Sequence, residues 1–158
     1  MQGPSQSEVD GHLDAIARHA RLHRTRIAIA ESVTAGRIAT ELARGENASE
    51  WFRGGIVAYG NEVKYHLLGV PRGPVITATC AATMATAVRE LLDADVGVGV
   101  TGVGGPEPVE DQPAGTVFIG LAHGDEVRTF GYAFEGDADE IVESAVRRAL
   151  VHLEGAVR

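Results

Sequence analysis

Three short stretches of the chain combine reactive side chains with backbone features that would present them. In Glu31-Ser32-Val33-Thr34-Ala35-Gly36, hydroxyls sit between an apolar run and a helical pattern. A serine or threonine there can cap the helix through its side-chain oxygen. The same place also surrounds a serine oxygen with the free amides of a helix start, which bind anions and can hold the oxyanion of an acyl transfer. Both readings stand on the sequence. In Tyr59-Gly60-Asn61-Glu62-Val63-Lys64, the tyrosine ends an expected strand and Lys64 lies about a turn into an expected helix, so both can face one cleft. A lysine near a serine can act as its general base once burial or a neighbouring cation lowers its pKa. Lys64 is the only lysine of the chain. Arginine supplies surface charge but does not release its proton, so a lone lysine points to a titrating role. The plain alternative is a solvated lysine beside a packed tyrosine. The third stretch, Thr101-Gly102-Val103-Gly104-Gly105-Pro106, follows another expected strand. Its glycines form either an anion-binding nest or merely a tight turn. Their spacing matches neither a P-loop nor a Rossmann fingerprint.

Short β-rich segments alternating with helical ones would position these stretches. Leu13, Ile16, Ala17 and Ala20 share one face at helical spacing, which predicts a helix over 12–22. Strands are expected at Arg26–Ala30, Gly54–Ala58 and Asp95–Val100, and helices at Ala35–Ala43, Asn61–Leu68 and Cys80–Leu92. The glycines within Asp95–Val100 mark places where another backbone passes closely. Two strands, Thr116–Ala122 and Val127–Phe134, are joined by a turn at His123-Gly124-Asp125, and a helix over Glu140–Leu153 follows. The order implies an α/β layered single domain over 11–158, a mixed sheet flanked by helices, preceded by a flexible terminus over 1–10. Gly102–Gly115 is left as a loop long enough to suspect of function.

A formal net charge of -8 argues against general affinity for nucleic acid, though not against one small phosphorylated ligand. No apolar run approaches the roughly 20 residues of a membrane-crossing helix. The first ten residues lack the pattern of a signal peptide, so the cytoplasm is the expected location. The single cysteine, Cys80, excludes an internal disulfide and reads as structural. His19 and His23 have i, i+4 spacing but no acidic or cysteine companion, and a solvated helix end is the reading adopted. No metal is expected.

Taken in order, the three stretches resemble the CinA C-terminal domain family. Ala30-Glu31-Ser32-Val33-Thr34-Ala35-Gly36 resembles its A-E-S-C-T-G-G. Phe52-Arg53-Gly54-Gly55-Ile56-Val57-Ala58-Tyr59-Gly60-Asn61-Glu62-Val63-Lys64 resembles F-x-G-G-x-V-x-Y-x-N-x-x-K. Ala94-Asp95 through Thr101-Gly102-Val103-Gly104-Gly105-Pro106, with Pro113-Ala114-Gly115-Thr116-Val117, resembles A-D-x-x-x-x-x-T-G-x-A-G-P and P-x-G-T-V. The resemblance runs from about residue 10 to 153. It implies the activity of the stand-alone family form, hydrolysis of the amide of nicotinamide mononucleotide to nicotinate mononucleotide and ammonia, a step of NAD recycling, without metal or organic cofactor. On matching positions, it implies Ser32 as nucleophile and Lys64, helped by Tyr59, as proton acceptor. Thr101 would hold the substrate or the nucleophile, and the helix-start amides after Ser32 would receive the oxyanion. Glu31, Thr34, Gly36, Asn61, Gly102, Gly104 and Gly105 would surround the nucleotide. The family also implies a homo-oligomer, with no nucleic-acid or membrane partner.

The chain departs from the family pattern at several places. Val33 and Ala35 stand for Cys and Gly, and alanine is the less permissive residue if the backbone needs positive φ. The loop after Pro106 reads Glu107-Pro108-Val109-Glu110-Asp111-Gln112, more acidic than the usual glycine run, and its three carboxylates would repel a phosphate unless they point away. Thr77 takes the place of an acid, and Ala138 and Val142 the places of two arginines. Core residues that persist while the periphery changes imply the same reaction type with a shifted substrate preference. Two other functions remain open, namely a serine amidase for another small amide and a catalytically silent domain that binds a nucleotide or a partner. A strongly perturbed Lys64 beside Ser32 favours the enzymes and a solvent-facing one the silent domain.

Overall fold

The computed structural model describes residues 6–158, folded into five helices and a five-stranded mixed sheet. The helices are α1 (Gln6–His23), α2 (Arg37–Ala43), α3 (Asn61–Leu68), α4 (Ala78–Leu91) and α5 (Ala138–Val157). The strands are β1 (Ile27–Glu31), β2 (Phe52–Val57), β3 (Val96–Gly102), β4 (Thr116–His123) and β5 (Glu126–Ala133), in the order β2-β1-β3-β4-β5. β1 runs parallel to both β2 and β3, whereas β4 and β5 continue the sheet antiparallel. The expected architecture is the one present. No helix among the described residues is long and apolar enough to cross a membrane.

Alternation along the strands explains the two layers. Ile27 and Ile29 of β1 join a core with α1, α2 and α5, while Ala28 and Ala30 face the opposite core with α3 and α4. On β3, Val96, Val98 and Val100 take the α1/α5 side. Gly97 and Gly99 form the floor under α4. A Cβ on Gly97 would stand 2.2 Å from the Ala85 carbonyl oxygen, and one on Gly99 would stand 2.5 Å from that of Ala81. Only glycine lets α4 approach this closely, and the approach brings Cys80 at the helix start near the end of β3. Thr77 caps that helix, its hydroxyl accepting from the Cys80 amide at 3.0 Å. Asp137 and Glu140 form a capping box at the start of α5.

Some boundaries differ from expectation for identifiable reasons. The first helix already includes Gln6–Asp10, which the sequence assigned to a flexible terminus, because Val9 packs into the α1/α5 core; residues 1–5 lie outside the described residues. α2 starts at Arg37 rather than Ala35, since Ala35 (φ 48°) and Gly36 (φ 95°) both adopt left-handed backbone. Thr77 moves the start of α4 to Ala78, and the capping box moves that of α5 to Ala138. The segment after β3 is not featureless. Val109 and Gln112 pair across a two-residue turn.

Candidate active site

The three parallel strands β2, β1 and β3 end at one edge of the sheet, and β1 between them is where successive connections leave in opposite directions. Such switch points open a crevice at the carboxyl ends of the strands. Glu31 pairs with Val57 and Val100, so Ser32, Tyr59 and Thr101 emerge together just beyond. The Ser32 amide is fixed to the Val100 carbonyl at 2.9 Å, which sets the nucleophile candidate against β3. A cleft of about 470 Å³ opens there, lined by Ser32, Val33, Tyr59, Asn61, Lys64, Val75, Ile76, the 102–105 turn, Pro106, Glu107, Val109, Ala138 and Val142.

Lys64 sits on the inward face of α3, one turn before Leu68, and is 1% exposed. Its Nζ donates to the main-chain carbonyl of Tyr59 at 3.0 Å, and among the described residues it makes no ion pair. Burial holds its pKa below the ordinary lysine value, with Cys80 and Glu110 partly opposing that shift. Burial also pushes the Cys80 thiol up, opposed by Lys64 and Thr101 and aided by Glu110. The thiol is thus kept in its protonated form, consistent with a structural cysteine. Ser32 is 7% exposed and lines the same cleft; no hydrogen bond joins its hydroxyl to Lys64. The arrangement places a serine hydroxyl and a lysine whose pKa burial holds below its ordinary value along one cleft.

The remaining candidates divide. Thr101 is fully buried behind the wall, and its hydroxyl donates to the Val75 carbonyl at 2.8 Å, leaving only oxygen lone pairs for a third group. Tyr59 lines the cleft with its side chain 71% exposed, and its tie to Lys64 is the backbone carbonyl rather than the phenol. Asn61 opens α3 at the cleft edge. Gly102 must be glycine, because a Cβ would meet the Thr116 carbonyl oxygen at 2.6 Å. The Gly104 and Gly105 amides make no hydrogen bond among the described residues and border the cleft.

Glu31, Thr34 and Gly36 do not line it. Glu31 is 1% exposed, and its two carboxylate oxygens accept from the Ile38 and Ala39 amides at 2.9 and 3.0 Å. The carboxylate therefore caps α2, and the expected helix-start oxyanion donors are already occupied by it. The amide of Val33, a cleft-lining residue, makes no hydrogen bond among the described residues and is what the turn leaves for an anion. Thr34 is fully buried with its hydroxyl unpartnered, and Gly36 supplies the left-handed residue before α2.

Two contributions were not visible in the sequence. Glu110, grouped there with carboxylates that would repel a phosphate, is exposed yet accepts from the Val75 and Ile76 amides at 3.0 Å. Ala138 and Val142, at the two positions where the family has arginine, both border the cleft. Lys64 is therefore the one basic side chain among the lining residues, which also include Glu107. No group of three His, Cys, Asp or Glu that could hold a metal occurs among the described residues.

The sequence and the fold are both shared with known proteins. Over 129 residues the chain is 44% identical to a CinA-like protein of Frankia casuarinae, covering 78% of this chain and 30% of that one. The chain thus spans less than a third of the length of the curated relatives it matches. A crystal structure of a competence-damaged protein (CinA) superfamily protein from Escherichia coli superposes with a TM-score of 0.90 at 31% identity, covering 97% of this chain and 92% of that one. Another from Enterobacter cloacae gives 0.91 at 29% identity, covering 95% and 92%. The family description CinA C-terminal domain matches residues 10–157, and the chain belongs to that family.

Proposed function

We propose that the chain is a serine-type amidohydrolase acting on a small carboxamide, with nicotinamide mononucleotide as its substrate. One observation carries the reading. A lysine 1% exposed, without an ion-pair partner among the described residues, shares a cleft with Ser32. Folding a cationic lysine into that position would be costly unless it can shed its proton, and a neutral amine is what a general base must be. Ser32 Oγ bonds to the carboxamide carbon while its proton passes to Lys64 Nζ. The carbon–nitrogen bond then breaks, and the proton leaves with ammonia. Water cleaves the resulting ester and restores the serine. The Val33 amide holds the oxyanion, and the Gly104–Gly105 turn faces the ribose phosphate.

A second reading, an amidase for an unphosphorylated carboxamide, is favoured by one feature. Ala138 and Val142 make the α5 side of the cleft apolar, and Glu107 adds a negative charge. Ammonia release from nicotinamide mononucleotide, beside its riboside and a Ser32→Ala control, separates the two. Turnover of the nucleotide that vanishes in the variant supports the first. Turnover of the riboside alone supports the second. Full activity in Ser32→Ala would sink the nucleophile in both.

A further inference from the structure

The segment joining β3 to β4 ends its outward run in a tight turn. Val109 and Gln112 exchange backbone hydrogen bonds at 3.1 and 2.9 Å, and Glu110 and Asp111 between them have φ of 54° and 60°. Neither is a glycine, so the turn adopts left-handed backbone against the preference of its residues. What compensates is the Glu110 side chain, whose carboxylate reaches the amides of Val75 and Ile76. Those amides precede the cap of α4 and so have no helical partner. From the other side, the Thr101 hydroxyl holds the Val75 carbonyl. The Val75–Ile76 wall is thus gripped at its amides by Glu110 and at a carbonyl by Thr101, directly beside Lys64.

We infer that Glu110 is a positioning residue, tying the tip of the 103–115 segment to the Val75–Ile76 wall and setting the charge that Lys64 meets inside the cleft. This rests on the amidase reading for its consequence in catalysis, but not for its physical content. The titratable groups acting on Lys64 are Cys80 from α4 and Glu110 from the loop, and Tyr59 and Glu107 line the same cleft. Of these, Cys80 stays protonated through neutral pH because burial raises its pKa. The Glu110 carboxylate opposes the depression of Lys64 by favouring its cation.

The only lysine of the chain makes a direct test possible, since lysine labelled with 13C at Cε gives one side-chain resonance. Its titration is followed in the intact protein, in Glu110→Gln and in Glu110→Ala. Glutamine keeps an oxygen for the wall amides but removes the charge; alanine removes both. The Lys64 midpoint should move down in each variant. The acid limb of the amidase pH profile should follow it in Glu110→Gln. In Glu110→Ala the released wall should raise KM several-fold as well. An unmoved midpoint in folded Glu110→Gln overturns the inference, whatever alanine does to the fold. If the intact protein hydrolyses no carboxamide, the functional reading fails while the titration still decides the role of Glu110.

Discussion

Glutamine at position 31 should weaken the fold while leaving substrate affinity nearly untouched. Each Glu31 oxygen accepts one amide of α2, Ile38 at 2.9 Å and Ala39 at 3.0 Å, from a side chain 1% exposed. A hydrogen bond to a charged group contributes about 1.5–3 kcal/mol net, and an unpaired buried donor costs about 1–3 kcal/mol. Glutamine retains one neutral acceptor and turns its own N–H toward the second amide. The expected loss is therefore about 3 kcal/mol, which for a chain of this size lowers the melting temperature by about 6–12 °C. Thermal melting by circular dichroism reads the first effect. Steady-state kinetics well below the melt reads the second. Because the Ser32 amide is held independently by the Val100 carbonyl, KM should change less than about two-fold. An unchanged melting temperature with KM raised about ten-fold would refute the capping role and put the carboxylate on the substrate.

Two further outcomes can be checked on purified protein. Lys64 has a lower pKa folded than its ordinary 10.5, so the folded state binds fewer protons and stability rises as pH climbs from the folded value toward 10.5. Lys64→Met should remove that rise and be the more stable protein at pH 7, measured by urea melts across pH, with activity lost; parallel curves would show that the lysine is not perturbed. Ala35 occupies left-handed backbone at φ 48°, so Ala35→Gly relieves about 1–2 kcal/mol of steric cost, partly offset by the freer unfolded chain. The melting temperature should rise by about 2–3 °C, and a fall would mean that the turn does not strain alanine.

How much was readable in advance depends on the range of the interactions. Strand alternation in Ile27-Ala28-Ile29-Ala30, the helical stripe of Leu13, Ile16 and Ala20, and the glycines of β3 are local patterns tied to the period of each element. They specified the layered α/β fold and the close seat of α4, because a missing Cβ has the same meaning whatever comes to lie on it. Ordered motifs also placed Ser32, Lys64 and Thr101 at strand ends and a helix start. Boundaries at Ala35–Gly36 and at Gln6–Asp10 escaped, since they depend on a left-handed turn and on a distant packing partner.

The roles of the carboxylates escaped for a stronger reason. Glu31 and Glu110 look alike in sequence as acids near a possible anion site, yet each closes on main-chain amides, and the partners of Glu110 lie 34 and 35 residues away. A carboxylate repels or caps according to which N–H groups the fold brings within about 3 Å of it. The depressed pKa of Lys64 is likewise no property of the lysine, arising from burial where α3 meets α4. Composition and period determined the architecture, and the ordered motifs named the candidate groups. Only the tertiary structure decided which of those groups face the cleft and in which direction the Lys64 pKa moves, because both depend on solvent exclusion and on neighbours remote in the chain.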